Sequence, residues 1–149
     1  MKIIIAGNGM VGYKFCEKLI SRYNPEKYEL TVFGEEPRPA YDRVHLSEYF
    51  SGKTADDLLM APANWYSQNN IRLVTGELVT EINPEFKTIT THKGTVQSYD
   101  KLILATGSSP FVPPIPGVDK DGVFVYRTIE DLNDIIAYGE HIKRAAVMG

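Results

Sequence analysis

Residues 2–12, KIIIAGNGMVG, join a short run of β-branched residues to three glycines spaced two and then three apart. An unbroken apolar run of that length is the pattern of a strand buried on both faces. In the spacing that follows, Gly7 permits a tight turn out of the strand. Gly9 has no side chain, so a pyrophosphate can approach the backbone, and Gly12 lets a helix pack closely on the strand. The backbones of Asn8, Met10 and Val11 belong to the same loop and share in the candidate site. A helix starting here offers free N–H groups and the positive end of its dipole to an anion. The alternative is a glycine-rich turn that holds nothing, so the flanking elements have to decide.

Beyond the glycines, Val11, Phe15 and Leu19 recur every four residues with Cys16 and Ile20 beside them. That predicts one apolar helix face, ended by Asn24-Pro25. Residues 28–33 (YELTVF) predict a second strand closed by Gly34, completing a βαβ unit of the right-handed kind. Glu35 follows at once, and a carboxylate there can accept both hydroxyls of an adenosine ribose while repelling a 2′-phosphate. Glu36, its neighbour, could serve instead. The stretch 35–53 has no clean period and predicts a functional loop with one short helical turn.

Thr54 can cap a helix start with Asp56 and Asp57 in its first turn. A second short helix is predicted over about 63–68. Short strands are predicted at 71–74, 78–82, 87–91 and 95–98, with turns at Asn83-Pro84 and Lys93-Gly94, which implies an antiparallel meander beside the parallel sheet. Residues 101–107 (KLILATG) return to the buried-strand pattern. The four prolines of 108–117 (SSPFVPPIPG) forbid helix and central strand alike. One more strand is predicted over 122–126, then a helix capped by Thr128 and running to about 141, with Ile129, Leu132, Ile135 and Ile136 on one face. Residues 144–149 (RAAVMG) have the pattern of a new buried strand cut short. The fold class is therefore α/β, a Rossmann-like dinucleotide-binding fold with a parallel sheet, flanking helices and a small antiparallel meander.

Composition excludes several functions. The chain has 149 residues, 43% apolar and 23% charged, with formal net charge −3. No basic stripe appears, which argues against nucleic acid or an anionic membrane surface as partner. No apolar run approaches the roughly 18 residues of a membrane span. The start of the chain lacks the apolar length and small-residue site of a secretory signal. Cys16 is the single cysteine, so no internal disulfide can form and a cytoplasmic setting is expected. His45, His92 and His141 are scattered, with no spacing that suggests a metal site.

The combination GNGMVG, FGEEPRPAYDRVHLSEYF, KLILATGSSPFVPPIPG and VFVYRTIEDLNDI resembles the two-dinucleotide-domain flavoprotein reductases. Within them it resembles the flavin domain of assimilatory NAD(P)H nitrite reductase large subunits. AYDRVHLS and VYRTIEDLN are the specific pieces. The resemblance implies that Gly7, Gly9 and Gly12 cradle the FAD pyrophosphate and that Glu35 binds the adenosine ribose. It places Arg43 near the pyrophosphate and flavin, where a guanidinium neutralises phosphate charge. Val79 would meet the adenine end through its backbone, and Ala105, Thr106 and Gly107 would turn the chain beside the cofactor. No catalytic side chain and no metal ligand is assigned. Tyr41 lies in the flavin loop and is a further candidate contact, whereas Trp65 and the other tyrosines are read as packing.

Two departures from the family pattern matter. Many ferredoxin- or rubredoxin-reductase relatives carry a lysine directly after the LS of this loop, near the reactive flavin nitrogen. Here Leu46-Ser47 is followed by Glu48. Disulfide reductases of the wider family place a redox cysteine pair near this segment, and this chain has none. The resemblance further implies that residues 1–109 are the first part of the FAD domain, 110–143 its Pro-rich exit with connecting helix, and 144–149 the start of an NADH domain. In this family the FAD domain is completed by a segment that returns after the NADH domain. NADH, iron–sulfur and sirohaem sites, and a small-subunit partner, would belong to parts of a longer protein. A rubredoxin or ferredoxin reductase and a non-catalytic nucleotide-binding module are the competing readings. A plain NAD-dependent dehydrogenase fits less well, because ATGSSP with its Pro-rich exit is a flavoprotein feature.

Overall fold

The computed structural model describes residues 1–148 and divides into two compact units. The first comprises Met1–Asp42 and Leu59–Gly107. The second comprises Arg43–Leu58 and the chain from Ser108 onward.

The first unit is built on a parallel sheet. β1 (Lys2–Ala6) is followed by α1 (Met10–Arg22) and β2 (Glu29–Phe33). After α2 (Trp65–Gln68) come β3 (Ile71–Val74), β4 (Val79–Asn83), β5 (Thr88–Thr91), β6 (Val96–Ser98) and β7 (Lys101–Leu104). The parallel sheet has order β3-β2-β1-β7, and β4-β5-β6 form a separate antiparallel meander.

The triple isoleucine of β1 is unbroken because both of its faces are covered. Ile3 and Ile5 join Tyr13 and Cys16 of α1 with Leu30, Val32, Tyr66 and Ile71 in one core. Ile4, pointing the opposite way, joins Phe33 and Ile89 of the meander in a second. Period-two alternation thus feeds two cores from one strand. In β2, Thr31 shares the face of Ile4 and is buried, but its hydroxyl accepts a hydrogen bond from Gln97 Nε2 at 3.3 Å.

Several expectations change. Val11 was expected on the buried face of α1 but is 69% exposed; Gly12, Tyr13 and Cys16 are buried instead. Gly12 lets the helix axis come close to β1, which turns the buried stripe toward the glycine and carries Val11 outward. Residues 71–74, first in the run of short strands, join the parallel sheet beside β2 and leave a three-stranded meander. The strand expected over 101–107 ends at Leu104, which is 61% exposed. β7 is an edge strand, paired with β1 on one side and with no strand on the other among the described residues.

In the second unit a 3₁₀ segment, Leu46–Ser51, supplies the expected helical turn. A second short 3₁₀ turn, Asp56–Leu58, takes the place of the helix expected after Thr54. Thr54 still behaves as a cap, since its hydroxyl accepts from the Asp57 amide at 3.2 Å. α3 (Ile129–Gly139) carries Thr128 at its N-cap in a capping box with Asp131. Ile129 and Leu132 are buried, while Ile136 is exposed. No strand forms over 122–126, because the β-branched residues have propensity but find no neighbouring strand in their unit. Phe124 instead meets Tyr138 edge-on at 5.4 Å, and Tyr126 stacks on Phe50 at 6.1 Å. Residues 144–148 form no strand either, and Gly149 lies outside the described residues.

Candidate functional site

The three glycines of the first loop are there for three different reasons. Gly7 has φ +115°, a conformation that L side chains rarely adopt, and a Cβ on it would lie 2.1 Å from the Ala105 carbonyl oxygen. A Cβ on Gly12 would lie 2.2 Å from the Gly7 carbonyl oxygen. Both are demanded by packing. Gly9 is not: its φ of −90° suits any residue, and a Cβ there would meet nothing within 4 Å. Neither strain nor crowding explains that glycine, and its open side faces away from the protein's own atoms.

Gly9 is also the N-cap of α1, and no side chain caps the helix. No acidic residue occupies the first turn. The first backbone N–H bonded back into the turn is that of Tyr13, to the Gly9 carbonyl at 3.0 Å. The amides of Met10, Val11 and Gly12 therefore remain as donors at the positive end of a 13-residue helix. α3 makes the contrast plain, because Thr128 and Asp131 satisfy its N-terminus internally. One helix closes its own end with side chains, while the other has no side-chain cap.

The loop is held from several sides. Gly7 N donates to the Phe33 carbonyl at 2.9 Å, and Ala105 N donates to the Ala6 carbonyl at 2.8 Å. These bonds bring Ala105 against the glycine loop, with exposed Thr106 and Gly107 following it. Gly107 itself takes a positive φ of +74°.

Glu35 and Glu36 are now distinguishable. The Tyr41 hydroxyl, buried in the core, donates to Glu36 Oε2 at 2.7 Å. Tyr41 is thus a packing residue with an internal partner, and Glu36 is the group it uses. Glu35 is exposed, while the backbone around it is fixed on both sides. Gly34 N donates to Val74 O and Glu77 N to Gly34 O, each at 2.8 Å, and Gly76 N donates to Glu36 O at 3.0 Å. A carboxylate on a pinned backbone can receive a diol without ordering anything else. Beside it, the Thr91 hydroxyl donates to Glu77 at 2.9 Å and helps hold that carboxyl below its ordinary range.

Val79 opens β4, and its side chain packs on the core of Ile4, Phe33 and Ile89, leaving only its backbone for any other contact. The register shifts between Val79 and Glu81, a bulge that breaks the ladder at this residue. Trp65 lies 4.8 Å from Tyr13 and 5.1 Å from Tyr66, ring to ring, in keeping with packing roles.

Cys16 is fully buried, and burial pushes its thiol up to about 12. It is a small core hydrophobe with no thiolate chemistry at neutral pH. Among the described residues no group of His, Cys, Asp and Glu could hold a metal ion, and no helix is long and apolar enough to cross a membrane.

The family model of the pyridine nucleotide-disulphide oxidoreductases matches residues 1–149. The chain belongs to that family. It is 48% identical over 149 residues to the nitrite reductase (NADH) large subunit of Escherichia coli (strain K12), covering 100% of this chain and 18% of that protein. It is 41% identical over 149 residues to the assimilatory nitrate reductase electron transfer subunit of Bacillus subtilis (strain 168), covering 99% of this chain and 19% of that one. Among solved structures, NADH:rubredoxin oxidoreductase from Clostridium acetobutylicum matches with a TM-score of 0.77 at 30% identity, over 93% of this chain and 35% of that chain. The water-forming NADH oxidase from Lactobacillus brevis matches with a TM-score of 0.81 at 26% identity, over 95% and 32%. The chain thus spans about a fifth of the length of these curated relatives. As a pyridine nucleotide-disulphide oxidoreductase domain it carries no cysteine pair, since Cys16 is alone and buried.

In the second unit, Arg43 donates to the Arg127 carbonyl at 2.9 Å, and the Arg127 guanidinium reaches the Ser108 hydroxyl at 3.3 Å. The Arg127 amide is fixed in turn by Asp131 at 3.0 Å. Two guanidinium-bearing residues are thereby joined on one backbone scaffold. Arg127 was in view within VYRTIEDLN but had no assigned role. Its position just before a capping box was the available signal, because a capped helix start fixes the residue preceding it. Tyr66 was likewise passed over as packing, and no sequence signal pointed to its hydroxyl.

Proposed function

We propose that the first unit binds the adenosine diphosphate half of FAD, and that the chain is the flavin-bearing part of an NAD(P)H-dependent oxidoreductase of the nitrite reductase type. The observation that carries this reading is the uncapped start of α1 beneath Gly9, a glycine that neither packing nor strain requires. Bound FAD would supply the capacity to take a hydride and release electrons singly. The residues of this chain do the holding. Gly9 leaves room for the phosphates, and the amides of Met10, Val11 and Gly12 donate to them. Glu35 accepts from the ribose hydroxyls, with Glu36 and Asn8 shaping the loop around it. The Val79 backbone borders the adenine end, and Ala105, Thr106 and Gly107 border the phosphates.

The names of the relatives support the reaction class: a nitrite reductase (NADH) large subunit and an electron transfer subunit of assimilatory nitrate reductase. NAD(P)H docking, iron–sulfur and sirohaem centres and a small-subunit contact would then lie in a longer protein working in the cytoplasm. Residues 1–109 form the first part of its FAD domain, 110–143 the exit, and 144–149 the start of the next domain. The open edge of β7 suits addition of a strand from later sequence. The chain alone then binds FAD weakly or not at all and has no reductase activity of its own. Stoichiometric, tightly held yellow flavin on the purified 149-residue chain would overturn that statement.

A rubredoxin- or ferredoxin-reducing flavoprotein is the second reading, favoured by the likeness to NADH:rubredoxin oxidoreductase. An absorption spectrum of the longer protein, titrated with NADH and then nitrite, separates the two. Flavin and sirohaem bands bleached by NADH and restored by nitrite are expected. Flavin bands alone, reoxidised by rubredoxin or ferredoxin and not by nitrite, would refute the first reading.

A further inference from the structure

Asn8 sits between two of the three loop glycines, yet its side chain is bound to the protein itself. Its Oδ1 accepts from the Tyr66 hydroxyl at 2.8 Å, and its Nδ2 donates to the Arg38 carbonyl at 3.4 Å. Gly34 makes room for it, since a Cβ there would fall 2.8 Å from Asn8 Cβ. Tyr66 is 3% exposed, so its hydroxyl is held away from water with Asn8 as its partner. A hydrogen-bonded circuit results, from Tyr66 of α2 through Asn8 of the glycine loop to the Arg38 carbonyl. Residues 38–40 lie just beyond Glu35 on the same stretch of chain. The circuit therefore ties the loop that would take the phosphates to the segment that would take the ribose.

We propose that Tyr66 and Asn8 are a positioning pair that fixes the span between Gly9 and Glu35, and so sets the affinity for an adenosine diphosphate group that neither side chain touches. The proposal rests on the reading of the first unit as an FAD site. Affinity follows because a loop already held in its bound shape loses less conformational freedom on binding. The buried tyrosine hydroxyl is well suited to the task. Removing it frees one end of Asn8 while the ring remains packed edge-on against Trp65.

The test uses ADP as probe, because it carries both the diphosphate and the ribose hydroxyls. Tyr66→Phe keeps the ring and removes only the hydroxyl. Its expected effects are a five- to tenfold weaker ADP affinity by calorimetry, about the equivalent of one net hydrogen bond, and faster hydrogen exchange confined to the amides of residues 8–12. Asn8→Ala should weaken ADP binding similarly, and adding Tyr66→Phe to it should cost nothing further, since the two act through one bond. A merely structural tyrosine would raise exchange throughout the first unit, and its effect would add to that of Asn8→Ala. Either of those results overturns the proposal, as does Tyr66→Phe with unchanged ADP affinity and unchanged exchange at residues 8–12. Failure of the unmutated chain to bind ADP at millimolar concentration overturns the site reading itself. The exchange rates at 8–12 then still decide whether the pair holds the loop.

Discussion

Replacing Gly9 by serine should make the protein more stable and its cofactor site worse. The backbone at residue 9 is extended (φ −90°, ψ −168°), the geometry of a helix N-cap, and a Cβ there meets nothing within 4 Å. A serine is therefore accommodated without strain, and its hydroxyl can accept from an amide in the first turn of α1. Losing glycine reduces the freedom of the unfolded chain, worth roughly 0.4–1 kcal/mol. The better cap adds a few tenths of a kcal/mol over glycine. A total of about 1 kcal/mol corresponds to a rise in Tm of roughly 2–4 °C for a chain of this size. The same hydroxyl occupies an amide meant for phosphate and fills the space above Gly9. Loss of one or two charge-assisted hydrogen bonds, about 1.5–3 kcal/mol each, weakens ADP or FAD binding at least tenfold. Thermal unfolding without ligand and calorimetric titration with ADP give the two numbers. A fall in Tm, or undiminished ADP affinity, would refute the reasoning: the first by showing that Gly9 is structural, the second by showing that phosphate does not go there.

The other glycines should behave in the opposite way. Gly12→Ala drives a Cβ to 2.2 Å from a backbone carbonyl, so a loss of about 3 kcal/mol or more is expected in urea unfolding; wild-type stability would show that the helix does not pack this closely on the strand. Glu35→Ala should lower ADP affinity with stability unchanged within about 0.5 kcal/mol, whereas Glu36→Ala should cost about 1 kcal/mol of stability by removing the carboxylate to which the Tyr41 hydroxyl donates. The reverse pattern would exchange their roles. For Cys16, whose thiol is pushed from about 9 up to about 12, the neutral form is favoured in the fold. Stability from this group is intact below about pH 9 and falls as pH climbs toward 12, by roughly 1–2 kcal/mol between pH 8 and pH 10. Cys16→Ala should lack that part of the decline, and equal slopes for the two proteins would contradict the burial of the thiol.

The strand–loop–helix–strand start could be read from residues because each of its signals is local: an unbroken β-branched run, three glycines, and an apolar stripe ended by Asn-Pro. Local signals also found Thr128, whose capping box lies within four residues. Partner choice is not local. Residues 71–74 and 122–126 both look like strands, but one finds β2 beside it and the other finds only aromatic rings. The choice between Glu35 and Glu36 depended on a hydroxyl from Tyr41, and the role of Asn8 on one from Tyr66. Neither bond leaves a mark in spacing or composition. Val11 was placed on the wrong side of α1 because periodicity weighs a valine above a glycine, while packing placed Gly12 against the strand.

The contact between Gly7 and Ala105 also sets a schedule. The glycine loop leaves the ribosome first, and the carbonyl that packs against it arrives almost a hundred residues later. At roughly 5–20 residues per second, about 5–20 seconds separate the two events. During that interval β1 has no β7 beside it, and the turn at Gly7 has nothing to lean on. A nascent chain can therefore contain the whole glycine loop and still lack the contact that shapes it. Slow codons between residues 35 and 105 would prolong that blind period without changing a single contact in the finished protein.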